Sequence, residues 1–211
     1  MKKAQLISRL VDTGPGGDLD PARPLLNIVT KGVGLNLLAP TVGQTPEFAL
    51  PATAGNYPKL RFEGLDTANP NALRKLYFSS TDTPSGTNFF IVVDDQAPTL
   101  FNPHLPPAIT TTQGSTEDWI IENRTDEIHS FHIHQIHFLV LEQNGKPVSP
   151  SEAQYHDVIN IPYWTGTDPY PSIKVRMDFR GPYVGDFVYH CHILEHEDKA
   201  MMAIIRVNPK N

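Results

Sequence analysis

"FVYHCHILEHEDKAMM", Phe187–Met202, carries the only cysteine of the 211-residue chain, with a histidine on each side of it and a third five residues further on. The run up to His192 is rich in β-branched and aromatic residues, as strands are, and "ILEHEDKA" reads as one helical turn before the next strand. On a strand, side chains two positions apart share a face. His190 and His192 therefore point together, and Cys191 between them points to the opposite side of the sheet. One strand then supplies ligands to two sites, one on each face. The segment "HSFHIHQIH", residues 129–137, repeats the pattern with His132 and His134 on a common face.

The same strand character recurs along the chain from about Leu73. "KLYFSS", "NFFIVVD", "DWIIEN", "SFHIHQIHFLVLE", "DVINIP", "IKVRMDF", "DFVYHCH" and "MMAIIRV" are short and bounded by Gly, Pro, Asn or Asp. Nowhere is there a long run at helical spacing. Eight such strands in about 135 residues predict an all-β domain, an antiparallel sandwich or barrel with loops gathered at its ends. Earlier residues read differently. "DTGPGGDLDPARP", "LLAPTVGQTPEFALPATAGNYP" and "TANPNA" are dense in Pro and Gly, with only short apolar runs such as Leu25–Val29 between them. Residues 1–72 are expected to form an extended, loop-rich segment with one or two strands, and residues 73–211 the main domain.

Composition excludes several classes. Hydrophobic content of 39% with 19% charged residues is ordinary for a soluble globular chain. A formal charge of −6 argues against nucleic acid or an anionic membrane as partner. A single Cys rules out an intramolecular disulfide. Arg9 and Asp12 interrupt the apolar core that a secretory leader needs, and no apolar run approaches the ~18–20 residues of a membrane span. A soluble chain without export signal or membrane partner is expected, and its compartment stays open.

Histidine and thiolate together point to a metal. On the Cys face, Cys191, His196 and Met201 come from one strand–turn–strand, and His129 is the natural second imidazole from an adjacent strand end. Two His, one Cys and a weak axial Met form the ligand set of a blue type 1 copper site, which transfers electrons. Zinc fits less well, since Met is a soft, copper-type ligand. Met202 competes for the axial place, but strand alternation turns it away if Met201 faces the metal. On the other face, His132, His134, His190 and His192 offer four imidazoles with no thiolate, a set that suits copper. Cys191 is bonded in sequence to His190 and His192, so these three residues form a short covalent path between the sites and are the expected catalytic residues. His137, His104 and His156 are expected at the surface or in structural roles. Glu195, Glu197 and Asp198 are expected on a solvated face, where they could tune approach of a reductant.

At these residues the chain resembles the C-terminal cupredoxin domain of the multicopper oxidases, most closely the bacterial branch of spore-coat laccase and copper-efflux oxidase. The family pattern His-Pro-x-His-x-His is met by His129 to His134, with Ser130 where Pro is usual. The pattern His-Cys-His-x3-His-x4-Gly-Met/Leu is met from His190 to Met201, with Ala200 where Gly is common. The resemblance implies a cupredoxin-like Greek-key sandwich over about Leu73 to Val207, and residues 1–30 are similar to the end of the family's middle domain. It also implies roles: type 1 copper for His129, Cys191, His196 and Met201, type 2 for His132, and type 3 for His134, His190 and His192.

The family completes its trinuclear cluster with two further His-x-His motifs from an N-terminal cupredoxin domain, and this sequence holds no others. The expected function is that of a laccase-like oxidase unit. It would take electrons from phenols, aromatic amines or metal ions at type 1 copper and reduce O2 to water at the rear face. The missing imidazoles would come from an N-terminal domain or from a second copy of this chain. The alternative is a stand-alone type 1 copper protein that carries electrons without oxidase chemistry.

Overall fold

The computed structural model describes residues 2–18, 20–30, 62–149, 153–167 and 169–210. The stretch 37–58, expected to be loop-rich, lies outside them. Strands β1 (Lys2–Ile7) and β2 (Pro24–Thr30) pair antiparallel and belong to one compact unit. Residues 13–18 and those from 62 onward belong to a second unit, which carries everything that follows.

That second unit is built from two sheets. Strands β3 (Ala72–Thr83), β4 (Gly86–Val93), β6 (Thr116–Asn123), β8 (Phe138–Gln143), β9 (Lys146–Pro147), β10 (Tyr155–His156) and β12 (Ser172–Asp178) form a seven-stranded sheet. Its order is β10-β8-β12-β6-β3-β4, with β9 on β8. Strands β5 (Ile109–Thr112), β7 (His129–Ile133), β11 (Val158–Ile161), β13 (Gly185–Cys191) and β14 (Met202–Asn208) form a five-stranded sheet in the order β11-β7-β13-β14-β5. Pairing is antiparallel except for β3 with β6 and β14 with β5. The only helix among the described residues is α1 (Leu194–Asp198), one turn between β13 and β14. The architecture is thus the expected cupredoxin-like Greek-key β-sandwich.

Alternation explains the packing. Phe131 and Ile133 of β7, Phe187 and Tyr189 of β13 and Trp119 of β6 are buried in one core cluster, with the Trp119 and Tyr189 rings 5.7 Å apart. Each fully buried large side chain contributes roughly 1.5–3 kcal/mol. Because β13 is flanked by β7 and β14, its register fixes the site: His190 lies opposite both His132 and Met202, and Cys191 lies opposite Phe131.

One expectation changes. "SFHIHQIHFLVLE" reads as a single strand but is two, β7 and β8, in different sheets. The chain turns at His134–His137, where Gln135 adopts φ +68° and the Ile136 amide donates to the His134 carbonyl at 2.8 Å. Burial of Ile136 anchors the corner. Strand β5, "ITTT", and the two-residue strands β9 and β10 carry too little apolar pattern to be read from sequence.

Candidate metal centre

Residues 129, 131 and 133 of β7 and residues 187, 189 and 191 of β13 share the inward face, so His129 and Cys191 meet inside one end of the sandwich. The third member comes from α1. His129 Nδ1 and His196 Nδ1 lie 3.1 Å apart, and Cys191 Sγ lies 3.6 Å from the first and 3.4 Å from the second. All three residues are buried. Phe78 of β3 stacks on the His129 ring at 4.7 Å, and Phe89 of β4 packs on the His196 ring at 4.4 Å.

Hydrogen bonds settle which nitrogens face the centre. The outer Nε2 of His129 lies 2.8 Å from the Thr125 hydroxyl, which itself donates to Asn123 Oδ1 at 2.9 Å. The outer Nε2 of His196 lies 3.3 Å from a Glu127 carboxylate oxygen. With the outer nitrogens already partnered, Nδ1 of each ring faces the thiol sulfur, where, once unprotonated, its lone pair is available to a metal. Two lone pairs and a sulfur this close repel unless a cation or a proton lies among them. The donor set and its convergence fit a type 1 copper site. Burial lowers the His196 pKa, but hydrogen bonds and charge from Cys191 and Glu127 outweigh it and raise the pKa to about 9. Burial, then the charge of His196, hold His129 well below the usual histidine range.

Met201 is fully buried. Its place follows from the end of α1, which closes in a Schellman motif: the Met201 amide donates to the His196 carbonyl at 2.9 Å and the Ala200 amide to the Glu197 carbonyl at 2.8 Å. The Met201 carbonyl then accepts from the Cys191 amide at 3.0 Å, tying it to both other elements of the site. Ala200 carries φ +61° in this turn, the conformation for which Gly is the usual residue. Met202 points elsewhere, into a cavity of about 260 Å³ lined also by Ile91, Phe101 and Ile204.

On the outer face of the five-stranded sheet, the rings of His132, His134, His190 and His192 stand together. The His132 ring lies 5.1 Å from His134, 5.1 Å from His190 and 5.0 Å from His192. His132 Nδ1 donates to the Asp157 carbonyl at 2.7 Å, and His190 Nδ1 to the Cys191 carbonyl at 3.0 Å, so in the neutral ring of each Nε2 carries the lone pair. Nε2 of His134 and of His190 lie 3.2 Å apart. Burial is the largest cause lowering the pKa values of His132, His134 and His190, which keeps these imidazoles neutral donors at pH 7. His132, His134 and His190 converge within 4.8 Å, whereas His192 flanks them with a side chain 55% exposed.

The remaining histidines stand apart from both groups: His137 packs edge-on against Phe62, His156 pairs in β10, and His104 sits in an exposed loop. Glu197, expected on a solvated face, lies 3.6 Å from His190 Nδ1 and 4.0 Å from His192 Nδ1. Thr125, Glu127, Phe78 and Phe89 escaped the sequence reading. The polar run just before His129 was the one available signal for the first two.

The multicopper oxidase family model matches residues 69–211. The chain belongs to the multicopper oxidase family. It is 29% identical over 206 residues to the laccase of Bacillus subtilis (strain 168), covering 90% of this chain and 36% of that protein. It is also 39% identical over 95 residues to the multicopper oxidase mco of Staphylococcus aureus, covering 43% of this chain and 20% of that protein. Among solved structures, the multicopper oxidase of Campylobacter jejuni, described as a metallo-oxidase, shares the fold. The match has a TM-score of 0.61 at 20% identity and covers 99% of this chain and 41% of that one. The chain thus spans well under half the length of these multicopper oxidases.

Proposed function

We propose that the chain is the C-terminal copper-handling unit of a laccase-like oxidase, with His129, Cys191, His196 and Met201 holding type 1 copper and His132, His134, His190 and His192 supplying half of a type 2/type 3 cluster. Copper at these places supplies one-electron oxidation of a phenolic, aromatic amine or metal-ion reductant and, with the cluster complete, reduction of O2 to water. The observation that carries this reading is the convergence of two Nδ1 atoms and one sulfur within 3.1–3.6 Å while both outer nitrogens are already hydrogen bonded. Backbone from Cys191 to His190 and His192 is the shortest covalent link between the two faces, so with copper bound these residues would carry the electron. Exposure of His134 and His192 leaves the rear group open to the remaining imidazoles, from an N-terminal cupredoxin domain or a second copy of the chain.

Titration with Cu(II), followed by absorption, copper count, gel filtration and O2 uptake, tests the proposal. An intense blue band, further copper beyond the first per chain, and O2 uptake in the assembled form are expected. A protein that stays colourless under saturating Cu(II) refutes the type 1 assignment. A blue monomer with one copper per chain and no O2 uptake refutes the oxidase and leaves an electron carrier.

A further inference from the structure

The backbone amide of Ser130 donates to Cys191 Sγ at 3.4 Å in the buried interior. Ser130 follows His129 at the start of β7, and its carbonyl accepts from the His192 amide at 2.7 Å. In an antiparallel ladder the N–H and C=O of a residue point to the same neighbour. Ser130 therefore addresses β13 with both groups, and where β13 ends its N–H meets the sulfur instead of a carbonyl. Its side chain turns away to donate to Asn160 Oδ1 of β11 at 2.9 Å. The hydroxyl and the amide thus serve different partners and can be removed separately.

Resting on the type 1 copper reading, we infer that the Ser130 amide is a positioning group that raises the reduction potential of the copper bound by Cys191. An N–H aimed at the sulfur withdraws electron density from the copper–thiolate bond and favours the electron-richer reduced state, and such bonds tune potentials at these sites. Proline at this position, the residue usual in the family pattern, has no N–H to give. Here the contact exists because the position is not proline. With no ladder bond to β11 at stake, a proline at 130 removes the sulfur contact together with the hydroxyl bond to Asn160, and Ser130→Ala removes that hydroxyl bond alone.

The experiment compares the copper-loaded full chain with Ser130→Ala and Ser130→Pro by redox titration against mediators, followed at the blue band. Ser130→Ala keeps the amide and is expected to titrate with the wild type. Ser130→Pro is expected to keep the band while its reduction equilibrium falls about tenfold, ~59 mV for a one-electron couple. A Ser130→Pro midpoint equal to wild type overturns the inference, as does an equal shift in Ser130→Ala. A second measurement needs no variant: in the cadmium-113-loaded wild type, the Ser130 amide proton should couple to the metal through Sγ. Absence of that coupling, with coupling to the Cys191 β-protons present, also overturns the inference. A wild type that takes up no coloured copper fails the copper assignment itself, which separates the two failures.

Discussion

The two faces of β13 carry sites of opposite character. The inner group of His129, Cys191 and His196 is closed by Phe78 and Phe89, and its outer nitrogens are tied to Thr125 and Glu127. The outer group is half open, with His134 exposed and His192 flanking it. The inner group comes together in the core of the sandwich. The outer group stands on the sheet surface, with His132 and His190 oriented by backbone carbonyls. Strand alternation places both within one residue of each other while leaving them in different solvents.

The largest expected effect separates the faces outright. Cys191→Ser should abolish the blue charge-transfer band of the copper-loaded protein, because the thiolate is its source. Copper at the outer histidines, read by electron paramagnetic resonance, should persist. A retained band would show that sulfur is not a ligand. Stability should split along the same line. Phe78→Ala removes a fully buried ring stacked on His129 and should cost about 3–5 kcal/mol in denaturant unfolding of the metal-free chain. His134→Ala, at an exposed position, should stay within about 0.5 kcal/mol. Equal losses would mean that both faces belong to the core.

Acidity sharpens the contrast. His196 has a folded pKa of about 9 against 6.5 when unfolded, so its contribution is fully present below pH 6.5 and is lost as pH rises towards 9. His129, His132, His134 and His190 are shifted the other way: they are neutral in the folded protein, and above about pH 7.5 in the unfolded chain as well. The melting temperature of the metal-free protein should therefore fall between about pH 7.5 and 9 through His196. Glu127→Gln, which removes the carboxylate 3.3 Å from its Nε2, should flatten that fall. An unchanged slope would show that Glu127 does not hold the His196 proton.

Much of this is legible in the sequence. The i, i+2 rule paired His190 with His192 and His132 with His134, and opposed Cys191 to both pairs, because strand geometry is local. What escaped depends on tertiary closure. "SFHIHQIHFLVLE" keeps its apolar character through the corner, so the break at Gln135 shows only when β7 and β8 enter different sheets. Glu197 looked solvent-facing because its partners, His190 and His192, are reached through the fold of a single helical turn. Thr125 and Glu127 are ordinary loop residues until β6 and β7 bring them round to the outer edges of the two imidazoles.

A small expected effect concerns Ala200, whose departure from the family's usual Gly touches no ligand directly. Its φ of +61° closes the Schellman turn that sets Met201 beside His196. A left-handed conformation costs an L-residue roughly 1–2 kcal/mol. Glycine relieves that strain but loses about 0.4–1 kcal/mol through the freer unfolded chain. Ala200→Gly should therefore stabilise the protein by about 0.5–1 kcal/mol in denaturant unfolding. The blue band should not move, because the turn already holds its closed form: the Met201 amide bonds His196 and the Met201 carbonyl bonds Cys191. Destabilisation would mean that the strain is absent, and a shifted band would mean that the alanine holds Met201 away from its relaxed place.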